Sequence, residues 1–451
     1  MEQNINRSIR RINILNLFGL YNYELVTPDI NTESDKFLIL YGDNGSGKTT
    51  ILKLVFHLLA PEDNKGHKSA AASVPFESFE IEFQDRTKVL AVRPKNKLTG
   101  SFSMIIKQPH KKEKTVDFVV REENKVHYTS EKNRIEIQNF LMSLRQLQVS
   151  LYMLSDDRTI NLAGIKGPGS SVYEREPDNV TIQFDEDDET QIRQRHYPLK
   201  PEDITKYLLI KSLRRTEEWL RGKAMRSSSI GDSSVNVLYN EILRSLVSLP
   251  KAESMDNKAI KTSIEKRIKE LEKKYNKFAQ YGLLPRFSGK EIMKVVATAP
   301  RSHINIIAYV LDPYLKSLEK KLEAMNDVHS RIDSFVTIIN RFFSNKKLSF
   351  DLHSGLSIMS VNNNLLKPHM LSSGERHLLL LFCNSLIAVD RPSILMIDEP
   401  EISLNIKWQR MLLSYLIEFI SDSPVQYLFA THSLELLTKH MSRVIKLENI
   451  K

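Results

Sequence analysis

The segment Gly42-Asp43-Asn44-Gly45-Ser46-Gly47-Lys48-Thr49 stands between the apolar run Phe37-Leu38-Ile39-Leu40-Tyr41 and a helical pattern that opens near Thr49. A strand, a glycine-rich turn and a helix in that order form a phosphate-binding loop. The glycines let backbone N–H groups curl around an anion, and the helix N-terminus adds its partial positive charge. Gly42, Asn44, Gly45, Ser46 and Gly47 make the cradle, and Thr50 belongs to the first helical turn. Lys48 is placed to reach the β- and γ-phosphates of a nucleoside triphosphate, and the Thr49 hydroxyl to ligate Mg²⁺. This unit puts the chain in the α/β class.

A second group of motifs lies far downstream. Leu371-Ser372-Ser373-Gly374-Glu375 precedes an apolar run from His377 to Val389. Ser372 and Glu375 have capping-box spacing, which predicts a helix start whose exposed N–H groups suit a phosphate. Ser393-Ile394-Leu395-Met396-Ile397-Asp398-Glu399-Pro400 reads as a buried strand ending in two carboxylates. The first of them suits Mg²⁺ and the second suits the attacking water. Tyr427-Leu428-Phe429-Ala430-Thr431 is another apolar strand, followed by His432.

Each piece alone is weak; their order carries the weight. Phosphate loop, Ser-Gly-Glu helix start, carboxylate pair and histidine resemble the Walker A, signature, Walker B and switch-histidine motifs of ABC-type ATPases. The signature here is LSSGE where transporters have LSGGQ. The stretch from Asp398 to Asn405, DEPEISLN, resembles the Walker B and D-loop of SMC-like and OLD-family ATPases. The resemblance is close over the first 60 and last 90 residues or so and architectural in between. It implies ATP and Mg²⁺ as cofactors, Thr49 and Asp398 as metal ligands, and Glu399 with His432 as the catalytic pair. It also implies that Ser372, Gly374 and Glu375 of one subunit complete the site of another in a homodimer or higher homo-oligomer. Gln84 and Gln148 are both open as the Q-loop glutamine, and Arg158 is expected near the nucleotide.

The chain has 451 residues, 41% hydrophobic and 27% charged, ample for two or three domains. The apolar run from Leu378 to Val389 is too short to span a bilayer, and residues 1–25 do not read as a leader, so a cytoplasmic protein with no membrane partner is expected. Cys383, the single cysteine, reads as a buried hydrophobe. The net charge of +10 permits DNA contact without showing it; the basic clusters at 107–114 and 261–277 read first as solvated surface and helical arm.

Along the chain, residues 9–26 alternate like strands, and residues 73–128 read as an antiparallel β subdomain. Residues 135–148 read helical and 148–154 as a strand. Residues 161–200 read as a loop whose acidic run, Asp185 to Glu189, is a solvated turn. Residues 226–234 read as a flexible Ser/Gly stretch. From Pro201 to Phe343 the pattern is helical, with two apolar stripes, Ile260 to Phe278 and Leu315 to Phe342, that suggest a short antiparallel coiled-coil arm. The expected architecture is an ABC/SMC-like P-loop ATPase head split by an insertion: residues 1–200, a helical insertion at 201–343, and residues 344–451.

Only nineteen residues follow His432, too few for the Toprim nuclease domain of OLD proteins, and no HNH pattern is present. The expected chemistry is ATP hydrolysis without nuclease activity. This build resembles the ATPase subunits of the bacterial antiphage systems Septu and PARIS, which work with a separate effector nuclease. Two rivals stay open: a DNA-repair ATPase of the RecF or SMC type, and a non-hydrolysing ATP-dependent scaffold.

Overall fold

A computed structural model describes residues 7–27, 36–63, 65–121, 125–156, 160–164, 181–182, 192–193, 201–231, 242, 244 and 257–449. They fall into two compact units, Met1–Ser212 with Leu371–Lys451, and Leu213–Met370.

The first unit holds two sheets. In the antiparallel one, β1 (Ile9–Leu17), β2 (Tyr21–Val26), β4 (Ser78–Phe83), β5 (Lys88–Val92), β6 (Phe102–Lys107), β7 (Lys114–Val120) and β8 (Val126–His127) run in the order β2-β1-β4-β5-β6-β7-β8. Its strands alternate buried and part-exposed side chains, as a sheet covered on one face requires. The other sheet is made of β3 (Phe37–Tyr41), β9 (Ser150–Leu154), β10 (Ile160–Ala163), β15 (Ser393–Asp398), β16 (Val425–Thr431) and β17 (Val444–Lys446), ordered β10-β9-β15-β16-β3-β17. Its inner strands are buried along nearly their whole length, which is why they read as unbroken apolar runs. Five of the six run parallel; β10 pairs antiparallel with β9 at the edge. Residues 160–163 are thus a strand where the sequence suggested a loop; four residues with a single polar interruption are too short a pattern to announce one. A second short pair, β11 (Thr181–Ile182) with β12 (Ile192–Arg193), also lies in that stretch. The acidic run Asp185 to Glu189 and Arg158 lie outside the described residues.

Helix α1 (Lys48–Leu59) buries Ile51, Leu52, Leu54, Val55, Phe56 and Leu58 in one core shared with both sheets. Helix α2 (His67–Ser73) supplies the cap of α1: Lys68 Nζ donates to the carbonyls of His57, Leu58 and Ala60 at 2.8, 2.8 and 2.9 Å. Full burial pushes that ammonium down to about 7, while the three carbonyl acceptors take up all three N–H donors of the charged form. Helix α3 (Glu131–Arg145) starts at Ser130, whose hydroxyl accepts from Asn133 N–H. Gln426 ties the two sheets together by accepting from Ile9 N–H and donating to Ile9 O at 2.7 and 2.9 Å.

Helix α4 (Pro201–Gly231) opens with proline at its first position, where the missing N–H costs nothing. It absorbs residues 226–231, which read as flexible from composition. The second unit continues with α5 (Asn257–Ala279), α6 (Lys290–Thr298), α7 (Ile304–Phe342) and the hairpin β13 (Lys346–Asp351) with β14 (Gly355–Ser360). The two apolar stripes do pair, but not antiparallel. Arg267 bonds Asp312 and Glu319, Tyr275 bonds the Leu318 carbonyl, Phe278 stacks on His329 and Tyr281 bonds Asp333, so α5 and α7 run in the same direction. Residues 280–303 fold back along α5, with Lys261 Nζ on the Ala297 and Ala299 carbonyls, and this return leg lets α7 start beside the front of α5. Periodicity reports which face is apolar and is silent on direction, so the antiparallel coiled-coil reading is corrected here.

Helix α8 (Ser373–Ala388), α9 (Ile406–Ile420) and α10 (Leu434–Leu437) complete the first unit.

Candidate functional site

In a parallel sheet the strand ends gather on one edge, and ligands bind beyond the carboxyl ends. The register here pairs Tyr41 with Thr431, Ala430 with Asp398, and Ile397 with Leu154. The loop after β3, the carboxylates at the end of β15, His432 after β16 and Asp156 after β9 therefore leave the sheet together.

The phosphate loop turns into α1 at Gly47, which has φ of +88°. A methyl there would lie 2.9 Å from Leu17 Cδ2, so both backbone and space demand glycine. Tyr23 OH donates to the Ser46 carbonyl at 3.0 Å; burial pushes that phenol up to about 12, which keeps it a donor. Gly42 is buried while Asp43, Asn44 and Gly45 are exposed, and Ser46 is half-buried. Lys48 is buried, its Nζ donating to the Gly42 and Asp43 carbonyls at 2.7 and 2.9 Å. Those two bonds hold the ammonium inside the curl of the loop. Thr49 and Thr50 follow in the first turn of α1, both half-buried.

Asp398 is 1% exposed, and among the described residues neither of its carboxylate oxygens has a hydrogen bond of full geometry. A buried carboxylate is normally paired, so two orphaned oxygens beside a threonine hydroxyl fit a hard cation that takes oxygen ligands, as Mg²⁺ does. Burial pushes this carboxyl up from 3.8 to about 6, with the charges of Asp156 and Glu399 adding to it; the Thr49 hydroxyl and Lys53 pull it back. The folded chain thus holds this proton more tightly than the unfolded chain. Without cation, stability falls as pH rises from 3.8 to about 6, and the cost is complete above that. Asp398→Asn should therefore raise the stability of the EDTA-treated protein at pH 8 by about 1–2 kcal/mol. The gain should shrink on acidification and vanish below the lower end of that window. Urea melts at pH 8 that show the Asn variant to be the less stable would refute this account.

Glu399 has φ of +47°, unusual for a side-chain-bearing residue, and its N–H donates to Ala430 O at 2.8 Å. Its Oε1 lies 3.3 Å from His432 Nδ1, so the expected catalytic pair is joined. Glu401, to which the sequence reading assigned no role, is buried between them. Its Oε1 accepts from Thr431 Oγ1 at 2.5 Å, His432 N–H at 3.3 Å and Ser433 N–H at 3.2 Å. Asp156 was likewise passed over. The available signals were the second acid of Asp-Glu-Pro-Glu and the acid closing β9.

The helix start at 372 has the capping box that its spacing implies: Glu375 N–H donates to Ser372 Oγ and Ser372 N–H to the Glu375 carboxylate, at 3.3 and 2.7 Å. The box uses those two amides and leaves the Ser373 and Gly374 amides at the N-terminus of α8 with no intrahelical acceptor. Within the chain this end of α8 packs on the turn after β15. A methyl on Gly374 would sit 2.6 Å from the Ser403 carbonyl, and His377 Nε2 donates to Pro400 O at 3.1 Å. Asn405 caps α9, its side chain accepting from Trp408 N–H at 3.0 Å. The two candidate glutamines sit away from the loop. Gln148 precedes β9, at the end where Ser150 pairs with Ser393; Gln84 follows β4 and bonds Ser8. Both mark the opposite edge from Asp398.

A family model described as AAA ATPase domain matches residues 8–437. Over 82 residues, 18% of this chain, the sequence is 33% identical to an uncharacterized ABC transporter ATP-binding protein, YejF, of Escherichia coli (strain K12), of which it covers 15%. Over 83 residues it is 35% identical to the lipoprotein-releasing system ATP-binding protein LolD of Ruegeria sp. (strain TM1040), of which it covers 35%. The chain thus spans only a minor part of these relatives. Among solved structures it is similar to the Smc head domain with an extended coiled coil, bound to the C-terminal domain of ScpA, from Pyrococcus furiosus. There the TM-score is 0.38 and the identity 13%, over 98% of this chain and 94% of that one. For the SMC head domain from Thermotoga maritima the TM-score is 0.31 and the identity 11%, over 95% and 91%.

Proposed function

The chain belongs to the AAA ATPase domain family, and from that premise we propose that it hydrolyses ATP at the edge of the parallel sheet, closes as a homodimer on ATP, and so regulates a separate effector nuclease in antiphage defence. One observation carries the ATPase reading: a buried carboxylate that has no hydrogen bond of full geometry among the described residues stands beside the Thr49 hydroxyl and next to a Glu–His pair, on the sheet edge where the phosphate loop emerges. Thr49 and Asp398 would hold Mg²⁺, which when bound neutralises phosphate charge. Lys48 leaves its loop carbonyls for the β- and γ-phosphates. Glu399 accepts the proton of the attacking water, and His432 holds the Glu399 carboxylate on its other side. Ser372 and Ser373, exposed at the start of α8, suit the γ-phosphate of a partner subunit, with Gly374 buried behind them against residues 403–408.

The effector reading rests on the second unit. Its helices carry none of the nucleotide motifs read in the sequence, and Val295 and Ile306, around the turn from α6 to α7, are exposed apolar side chains at 57% and 43%. Among the described residues no helix is long and apolar enough to cross a membrane, and the reading places the protein in the cytoplasm. The test is reconstitution with a nuclease recovered by co-purification with the chain. The chain alone should leave plasmid DNA intact, and the pair should cut only with ATP. Changing Val295 and Ile306 together to Asp should abolish that control with the ATPase rate unchanged. DNA degraded by the chain alone, or control surviving the double change, would sink this reading. Association that collapses steeply with salt would point to DNA and not to a protein at this surface.

A further inference from the structure

Glu401 has no part in the chemistry described above, yet it is a buried carboxylate two residues from Glu399. Burying a carboxylate is costly unless several donors converge on it. Three converge on Glu401 Oε1: the Thr431 hydroxyl at the end of β16 and the N–H groups of His432 and Ser433 in the turn that follows. The same oxygen lies 3.7 Å from His432 Nδ1. The turn that carries Glu401 is closed by Ile402 N–H on the Glu399 carbonyl and Leu404 N–H on the Glu401 carbonyl, at 3.1 and 3.0 Å. One side chain therefore clamps the turn bearing Glu399 to the turn bearing His432, across two adjacent parallel strands. Gln409 adds a second tie: it donates to the Leu404 carbonyl and accepts from Ser433 Oγ, both at 2.9 Å.

We propose that Glu401 is a positioning residue for hydrolysis, fixing His432 Nδ1 within reach of the Glu399 carboxylate by holding the backbone of residues 431–433. His432 is half-exposed, so packing alone does not fix its ring. The Ser433 bonds to Thr431 Oγ1 and Gln409 leave the His432 amide without an acceptor once Glu401 is gone. The imidazole then swings into solvent, and Glu399 loses its partner while the phosphate loop is untouched. This inference rests on the reading of Glu399 and His432 as the catalytic pair.

The experiment is steady-state ATPase kinetics and fluorescent-nucleotide binding on the full chain, with Glu401→Ala, Glu401→Gln, His432→Ala and the doubles. Glu401→Ala should lower kcat by about 10- to 100-fold with KM and nucleotide affinity within about 3-fold, a partial loss beside the roughly 10²- to 10⁴-fold of general acid–base catalysis itself. Glu401→Gln keeps an acceptor oxygen in place and should recover all but a few-fold of it. Neither Glu401 change should lower kcat further in the His432→Ala background, because the two act through one contact. If Glu401→Ala does not fold, Glu401→Gln alone and with His432→Ala decides in the same way. A Glu401 loss that persists without the histidine, a change in KM equal to that in kcat, or a Gln variant as inactive as Glu399→Gln overturns the proposal. Should Glu399→Gln itself hydrolyse at the wild-type rate, it is the underlying reading of the pair that fails, and the Glu401 comparison is then moot by that separate measurement.

Discussion

Glu399→Gln is expected to bind ATP and to hydrolyse it about 10²- to 10³-fold more slowly, the range for loss of a general base. The substitution removes a proton acceptor and little else. Glu399 owes its place to its backbone: the left-handed φ and the N–H on Ala430 O hold the residue, whatever its side chain. The amide is isosteric and stays within reach of His432 Nδ1. No core packing changes, so the melting temperature without nucleotide should move little. ATP then accumulates uncleaved, and the ATP-bound dimer should persist on size-exclusion chromatography where the wild type falls back to monomer. Single-turnover hydrolysis at the wild-type rate would remove Glu399 from the base role and turn attention to Asp156, a further acid at that edge.

Much of this site is legible in the sequence because a parallel sheet imposes a simple rule. Strands buried on both faces read as apolar runs, and whatever follows each run emerges at one edge. Tyr41, Asp398 and Thr431 each close such a run, so the residues that follow them leave the sheet at one edge, where Glu399 Oε1 lies 3.3 Å from His432 Nδ1. The capping box at 372 is equally local and equally readable. What failed to show is what depends on the third dimension. The direction of α5 against α7 is set by the return leg at 280–303, and an apolar stripe is the same read either way. The position of a glutamine in sequence does not tell which end of a strand it occupies, and Gln84 and Gln148 both fall at the far end. Glu401 looks like one more acid in a turn until its three donors are seen to come from the end of β16 and the turn after it, about thirty residues away.

The order of contacts also suggests how distant parts of the site are tied. The start of α8 touches the turn after β15 through His377 and Gly374; that turn reaches the histidine turn through Glu401 and Gln409. A phosphate from a second subunit seated on α8 would press on the element that carries Glu399. In the proposed dimer, closure and catalysis would be linked by bonds of one chain, which is the physical content of a switch with two states.

Lys48→Ala is expected to lose nucleotide binding altogether, and the loss should be repaired only in company. Lys48 is the one cation inside the loop, held by the Gly42 and Asp43 carbonyls, and it is a charge-assisted donor to a ligand that carries several negative charges. Alanine leaves those carbonyls facing a phosphate with no cation between them. The wild type should gain about 2.7 kcal/mol of stability at 100-fold excess of ATP over Kd, and the variant none, so the ATP-dependent shift in melting temperature reads the loss directly. Ser372→Arg should fail for a different reason: its own loop binds ATP, but the bulky side chain blocks the helix end offered to the partner. If sites are shared head to tail, the loop of one subunit meets the α8 of the other. A dimer of one Lys48→Ala and one Ser372→Arg subunit then gathers both lesions in a single site, where the emptied loop faces the blocked helix. In that arrangement the Ser372→Arg subunit's intact loop meets the intact α8 of the Lys48→Ala subunit. One whole site is rebuilt, and the mixture should recover a substantial fraction of the wild-type rate while each variant alone stays inactive. Dimers that form in the mixture and still hydrolyse nothing would show that each chain completes its own site.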